Sequence, residues 1–259
     1  MERGYQHGYS GSVTSMFDIE GRRRKARTMV SVLSECSDRP LAGLHALNVG
    51  GSAGIIDEYL SRHFASVTGI DIDETAIQFA RKTFNNENLH FETGDAMALR
   101  YEADTFDVVV CSQVYEHVPD AGKLMAEMYR VLKPGGKIYF AAGNRLMYRE
   151  PHYNLPLLAV IPRPLAHRYL RLVGKGEYYY EKHFTYWGLK HLVCSFSVTD
   201  YTPLIIRDPD KYQARYMMKT GTLKHGLARF ISRYAIWLVP GYIWVLEKPM
   251  TTMRNAEVM

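Results

Sequence analysis

At 259 residues, with 47% apolar and 23% charged residues, the chain has the composition of an ordinary globular protein and is long enough to bury a sizeable core, which excludes the disordered and fibrous classes. Its formal charge of +5 and pI near 9.0 favour acidic partners such as phosphate-bearing metabolites, anionic lipid or nucleic acid, and carry no information about fold. The three cysteines, Cys36, Cys111 and Cys194, lie far apart without a C-x-x-C pair, so neither a disulfide framework nor a zinc site is suggested, which points to a reducing cytoplasm.

The first residues, Met1 to Tyr5, lead into polar, glycine-rich sequence without the apolar core of a signal peptide. Ala26, Met29, Val30 and Leu33 then form one stripe of a helix that also carries Arg22, Arg23, Arg24, Lys25 and Arg27. The basic cluster reads as a solvated face, with a nucleic-acid arm as the sharper alternative. From Leu44 to Ala142, short β-like runs alternate with helical periods, the pattern of βαβ units in a parallel sheet. The strands are expected at Leu44 to Val49, Val67 to Ile70, Leu89 to Glu92, Phe106 to Cys111 and Lys137 to Ala142. Ile77, Ala80 and Phe84 share one helical face between them, as do Leu124, Met128, Val131 and Leu132.

After the fifth strand the alternation stops. Residues 144 to 184 contain Pro151, Pro156, Pro162 and Pro164 among aromatic and basic side chains, the composition of an inserted cap. Thr185 is placed to cap a helix running to about Val193, followed by strands near Ser197 to Tyr201 and from Tyr242 to Glu247, making seven in all. Leu223, Leu227, Phe230, Ile231 and Tyr234 share a helical face within a basic-aromatic stretch, residues 211 to 239. Packing on the sheet is the expected fate of that face, and rest on a membrane surface is the alternative. The apolar run from Tyr234 to Leu246 is broken by Pro240-Gly241 and falls short of the roughly 20 residues of a spanning helix. The tail after Pro249 is expected to fray.

The chemistry-bearing motifs sit at the ends of the strands. The first strand runs into Asn48-Val49-Gly50-Gly51-Ser52-Ala53-Gly54, where residues with little or no side chain let a ligand lie against the backbone at a helix N-terminus. A plain strand-to-helix turn is the alternative. Asp71, 21 residues after Gly50, closes the second strand where a carboxylate accepts from two ribose hydroxyls, while Asp73 reads as the cap of the next helix. Asp95 ends the third strand, where it suits an exocyclic adenine amine, with Ala96 and Met97 beside the ring, or a surface turn. The fourth strand runs into Ser112-Gln113-Val114-Tyr115-Glu116-His117-Val118-Pro119-Asp120 at the carboxyl edge, where α/β sheets bind ligands.

In order and spacing this set, closed by Leu132-Lys133-Pro134-Gly135-Gly136, resembles the class I, Rossmann-like methyltransferases dependent on S-adenosylmethionine, especially the branch with quinone-biosynthesis and other small-molecule enzymes. The likeness covers roughly Leu44 to Asn144. It implies an α/β fold: a doubly wound, seven-stranded, mostly parallel sheet with its last strand antiparallel. The implied cofactor contacts are Asn48, Gly50, Gly51, Ser52, Gly54, Asp71, Ile72, Asp95, Ala96, Met97 and Ser112. The chain then divides into an N-terminal helical cover (1–43), the cofactor-binding core (44–143), a substrate cap (144–184), a C-terminal part of the sheet with a basic-aromatic helical insertion (185–248) and a tail (249–259). Two departures stand out, since the family places Asp at position 48 and Gly at position 52, and both bear on cofactor affinity. Quinone-type relatives also place an acidic metal ligand three residues before the Glu-His pair. Gln113 stands there in this chain, so methyl transfer is expected without a metal.

The expected activity is methyl transfer to a small or lipid-linked acceptor at oxygen, driven mainly by alignment and exclusion of water. His117, at the fourth-strand edge and with the near-neutral pKa of an imidazole, is the first candidate for general base, and His152 in the cap the second. Arg149, Arg163, Arg168 and Arg171 among the cap tyrosines suit a ring- or phosphate-bearing acceptor, or serve packing and solubility. No nucleic-acid partner is expected, and the chain is placed in the cytoplasm with peripheral membrane contact through 211–239. The competing readings are an RNA or protein methyltransferase and a non-catalytic scaffold that keeps the fold.

Overall fold

A computed structural model describes residues 7–8 and 14–250, so most of the tail expected to fray lies outside the described residues. Helix α1 (Ile19–Cys36) is capped by Asp18, whose side chain accepts from the Gly21 N–H, and buries Ala26, Met29 and Leu33. The core then alternates β1 (His45–Val49), α2 (Ile55–Ser61), β2 (Ser66–Asp71), α3 (Glu74–Thr83), β3 (Leu89–Thr93), β4 (Phe106–Ser112), α4 (Ala121–Val131) and β5 (Leu132–Gly143). The insertion carries the short pair β6 (Arg149–Glu150) and β7 (Leu155–Pro156) with helix α5 (Arg163–Leu172). It is followed by α6 (Tyr186–Leu192), β8 (Ser197–Asp200), α7 (Thr202–Arg207), α8 (Leu223–Tyr234) and β9 (Gly241–Glu247).

The seven long strands form one sheet in the order β3-β2-β1-β4-β5-β9-β8. β1 to β5 run parallel, and β9 enters antiparallel between β5 and β8, as the family likeness implies. β4 shows why the central strands are continuously apolar. Val109 and Cys111 pack with Leu124 and Met128 of α4 on one face, while Val108 and Val110 pack with Met29 of α1 and Leu60 of α2 on the other. β5 begins earlier than its apolar run. Leu132 pairs with Phe106, Lys133 to Gly136 then loop out with Gly135 at φ +74°, and pairing resumes at Lys137 opposite Val108.

Residues 144–184 build a small core of their own from Met147, Leu155, Leu158, Ala166, Leu170 and Tyr179. Helix α5 lies where prolines break up the sequence pattern, and Pro162 and Pro164 occupy its entry, where a missing N–H costs nothing. The insertion is stitched to the carboxyl edge of the sheet through Tyr115, whose hydroxyl donates to the Gly143 carbonyl at 2.6 Å and accepts from the Phe184 N–H at 3.2 Å. The Lys182 N–H donates to the Glu116 carbonyl beside it.

Helix α8 departs from expectation. Only part of its apolar face packs: Ile231 and Ala228 lie against the core, while Leu223 is 95% exposed and Phe230 60%, with Leu227 and Tyr234 similarly open and Trp237 and Leu238 half-exposed beyond them. Among the described residues no helix is long and apolar enough to cross a membrane. Truncating the buried Leu124 to Ala should cost about 2–5 kcal/mol in urea denaturation. Phe230→Ser should change stability by no more than about 0.5 kcal/mol; a core-sized loss there would mean that α8 is packed.

Candidate active site

The loop after β1 folds over the end of β2, with the Gly50 and Gly51 N–H groups both donating to the Ile70 carbonyl. Gly50 has φ +73° and Gly54, heading α2, φ +74°, conformations that glycine adopts at little cost. Ser52 adopts φ +55° where the family has glycine, and its hydroxyl is buried without a partner among the described residues. Asp71 ties these parts together. One carboxylate oxygen accepts from the Ser52 N–H at 2.8 Å and the other from the Asp73 N–H at 2.9 Å. Burial pushes the Asp71 carboxyl up from its ordinary range while those two donors pull it back. A carboxylate has about four acceptor positions, so Asp71 keeps acceptor capacity for a ligand hydroxyl. Asp73 caps α3 as expected, accepting from the Thr75 and Ala76 N–H groups.

Asn48 occupies the family's aspartate position, and its amide donates at 2.5 Å to Asp57 of α2. Asp57 is fully buried beneath the loop, where a Cβ on Gly51 or Gly69 would meet its carboxylate. An acid thus returns to this region from the helix rather than the strand, a relocation that sequence reading missed because Asp57 sits in an ordinary helical run. Burial pushes its carboxyl up to about 7, against the hydrogen bond from Asn48, with Asp71 adding repulsion.

One cavity of about 950 Å³ joins these elements. Asn48, Gly50, Ser52, Asp71, Ile72, Asp95, Ala96 and Ser112 line it, and so do His117 and His152. Gly51, Gly54 and Met97 do not. Gly51 lies against Asp57, Gly54 against Phe91 and Ala80, and Met97 packs on the core while its N–H donates to Asp95. The cavity has further walls that the sequence did not assign: Arg22, Lys25 and Met29 of α1, and Met217, Leu227 and Ile231 near or on α8. Arg22 and Lys25 of the basic cluster thus also face this cavity, while Arg24 and Arg27 pair with Glu20 on the surface.

Behind the two imidazoles lies a cluster that no single stretch of sequence announces. His152 Nδ1 stands 2.6 Å from Glu150 Oε1, His183 Nε2 3.4 Å from the same oxygen, and His117 Nδ1 4.0 Å from Glu181 Oε1. The His117 and His152 rings meet edge to face with centroids 4.7 Å apart. Burial, reinforced by His152 and His183, holds His117 down to about 3, which overturns the expectation of a near-neutral imidazole. His152 is also disfavoured as a cation by burial, yet the hydrogen bond to Glu150 outweighs this and raises it. Burial would raise Glu150, but its histidine partners bring it to about 2. Glu116 is buried and pushed up, and neither of its carboxylate oxygens has a hydrogen-bond partner among the described residues.

The Asp57 geometry sets a pH dependence. The unfolded chain releases this proton near 3.8 whereas the native state keeps it to about 7, so the native state binds more protons in that window and its stability falls as pH rises. Asp57→Asn removes the ionisation, and its thermal midpoint should fall less than that of the unmodified chain between about pH 5 and pH 8. An equally steep fall in the variant would contradict the assignment.

Residues 47–140 match the family model described as a methyltransferase domain. The ubiquinone biosynthesis O-methyltransferase of Coxiella burnetii is 36% identical over 107 residues, 40% of this chain and 46% of that protein. The protein of that name from Pseudomonas entomophila is 33% identical over 145 residues, 55% and 59%. The chain thus spans about half the length of the curated relatives it matches. Among solved structures, a protein of Pyrococcus horikoshii superposes with a TM-score of 0.62 at 20% identity, covering 93% of this chain and 98% of that one. An S-adenosylmethionine dependent methyltransferase from Mesorhizobium loti gives 0.54 at 17% identity, covering 81% and 93%; both likenesses establish a shared fold. Over residues 47–140 the chain is thus similar in sequence to methyltransferase domains, and its seven-stranded sheet has the class I, Rossmann-like methyltransferase fold.

Proposed function

We propose that the protein transfers the methyl group of S-adenosylmethionine to an oxygen of a small, hydrophobic or lipid-linked acceptor. The observation that carries this reading is the single cavity that runs from the Gly50, Asp71 and Asp95 wall to His117, His152 and the apolar side of α8. When bound, the cofactor supplies a sulfonium methyl: the carbon–sulfur bond breaks as the oxygen–carbon bond forms, the electron pair stays on sulfur, and S-adenosylhomocysteine remains. Asp71 holds the ribose diol, Ile72 and Ala96 flank the adenine, Asp95 accepts from its amine, and Asn48, Gly50, Ser52 and Ser112 shape the methionine end. Gly51, Gly54 and Met97 act indirectly, through the packing of the loop and of Asp95. The buried, partnerless Ser52 hydroxyl fits this assignment as a group awaiting a ligand.

The acceptor's proton leaves at the His117–His152 edge, and residues 144–184 close over the acceptor as a cap. Alignment in such a cavity is worth up to about 7–11 kcal/mol, so the side chains chiefly orient and exclude water. The relatives named as ubiquinone biosynthesis O-methyltransferases support a small-molecule oxygen acceptor. Leu227 lines the cavity and is also exposed, which brings the outer apolar face of α8 to its mouth. With Lys224, Arg229 and Arg233 on the same helix, that face suits the surface of an anionic membrane, with the enzyme peripheral to it on the cytoplasmic side.

Calorimetry should show S-adenosylmethionine and S-adenosylhomocysteine binding to the protein, with affinity at least tenfold lower in Asp71→Ala. No binding of either at millimolar concentration contradicts the reading. In flotation with anionic liposomes, part of the protein should rise with the vesicles and Leu223→Ser should reduce that part, whereas protein confined to the soluble fraction rules out the membrane contact.

A further inference from the structure

We infer that Asp57 is a charge-matching group for the methyl donor: it gives up its proton when the sulfonium form of the cofactor binds and keeps it with the neutral thioether product. The acid lies one layer behind the cavity wall. Its side chain is fully buried, and only one of its oxygens has a hydrogen-bond partner among the described residues, the Asn48 amide. A Cβ built on Gly69 would stand 2.5 Å from the other oxygen and one on Gly51 2.7 Å, so the two glycines let β2 and the loop close over it. A carboxyl buried in this way favours its neutral form, and a positive charge added nearby reverses that preference.

Asn48 connects the acid to the ligand side. It lines the cavity and donates to Asp57 at 2.5 Å, so the wall itself carries a neutral amide where the family's aspartate would put a permanent charge. Burial sets the Asp57 carboxyl at about 7, with Asn48 and with Arg22 of α1 favouring the ionised form and Asp71 of β2 opposing it. From β3, Phe91 brings only an apolar ring to the gap at Gly69, and Glu58, next in α2, is engaged with Arg23 and Arg62. The state of Asp57 near neutrality is therefore open to a ligand's charge.

This role rests on the methyl-transfer reading, in which Asn48, Gly50, Ser52 and Ser112 shape the methionine end of the cofactor. Donor and product share the adenine, the ribose and the amino acid group, so either one changes the burial of Asp57 alike. They differ by the methyl group and its positive charge. That charge favours the carboxylate of Asp57, and by reciprocity the carboxylate favours the donor. On donor binding the proton passes to solvent, and methyl transfer, which leaves sulfur neutral, draws one back. Preference for donor over product therefore grows as pH rises through about 7 and fades below it.

The test is calorimetry on the full chain with S-adenosylmethionine and S-adenosylhomocysteine, each titrated just below neutral pH in buffers of different ionisation enthalpy, so that proton release is read directly. The donor should release a larger fraction of a proton than the product. Between about pH 6 and about pH 8 the donor-to-product affinity ratio should rise about fivefold relative to Asp57→Asn, the linkage expected if the donor's charge lowers the acid by about one pKa unit. Asp57→Asn keeps the shape of the protonated acid, and the ligands' own titrations occur with both proteins and cancel. An infrared difference spectrum of the unmodified chain should lose a protonated-carboxyl band with the donor and keep it with the product, a readout that needs no variant to fold. Equal proton release by the two compounds, a carboxyl band unchanged by the donor, or a ratio that climbs as steeply in a folded Asp57→Asn protein overturns the role; in the last case the proton belongs to another acid, such as Glu116. Binding of both compounds without these differences leaves the methyl-transfer reading standing, whereas binding of neither removes both.

Discussion

The two backbone N–H groups that converge on Asp71 organise the ligand-facing edge of the sheet. The carboxylate at the end of β2 draws in Ser52 from one loop and Asp73 from the next. Without those donors its burial would be costly, and without the carboxylate Ser52 would have little to hold it at positive φ. The same pair of bonds fixes the glycine loop against β2 and starts α3 where Asp73 can cap it. The remaining acceptor positions of Asp71 then face a cavity whose walls also carry Asp95, His117 and His152.

The far wall is built on a different principle. Its Glu and His side chains arrive from the loop after β4, from β6 and its turn, and from the strand-like run before α6. The Tyr115 hydroxyl, bonded to Gly143 and Phe184, brings the last of these against the first. Burial divides the imidazoles electrically, holding His117 neutral while the Glu150 hydrogen bond favours the cation of His152. Neither carboxylate oxygen of the buried Glu116 among them has a hydrogen-bond partner among the described residues.

Much of the sheet was legible in the sequence because its evidence is local. Apolar runs such as Phe106 to Cys111 mark strands buried on both faces, and Thr185 and Asp73 announce helix starts through short side chains that accept from backbone N–H groups. Asp71 followed from its spacing after Gly50. The antiparallel entry of β9 was not local and came through the family likeness. What stayed hidden depends on where segments meet. An amphipathic pattern such as that of α8 shows that one face is apolar, and says nothing about what covers it. Asp57 reads as a surface helix residue until α2 is laid beneath the glycine loop. Glu116, Glu150 and Glu181 are separated by more than a helix and a strand, so only the folded insertion reveals that they share one space.

The measurement that bears most directly on this account is a crystal structure of the protein grown with S-adenosylhomocysteine. The account predicts both ribose hydroxyls within hydrogen-bond reach of Asp71, roughly 2.6–3.2 Å, the adenine amine at Asp95 and the sulfur directed toward His117 and His152. A nucleoside bound elsewhere, or one whose ribose lies away from Asp71, would contradict it.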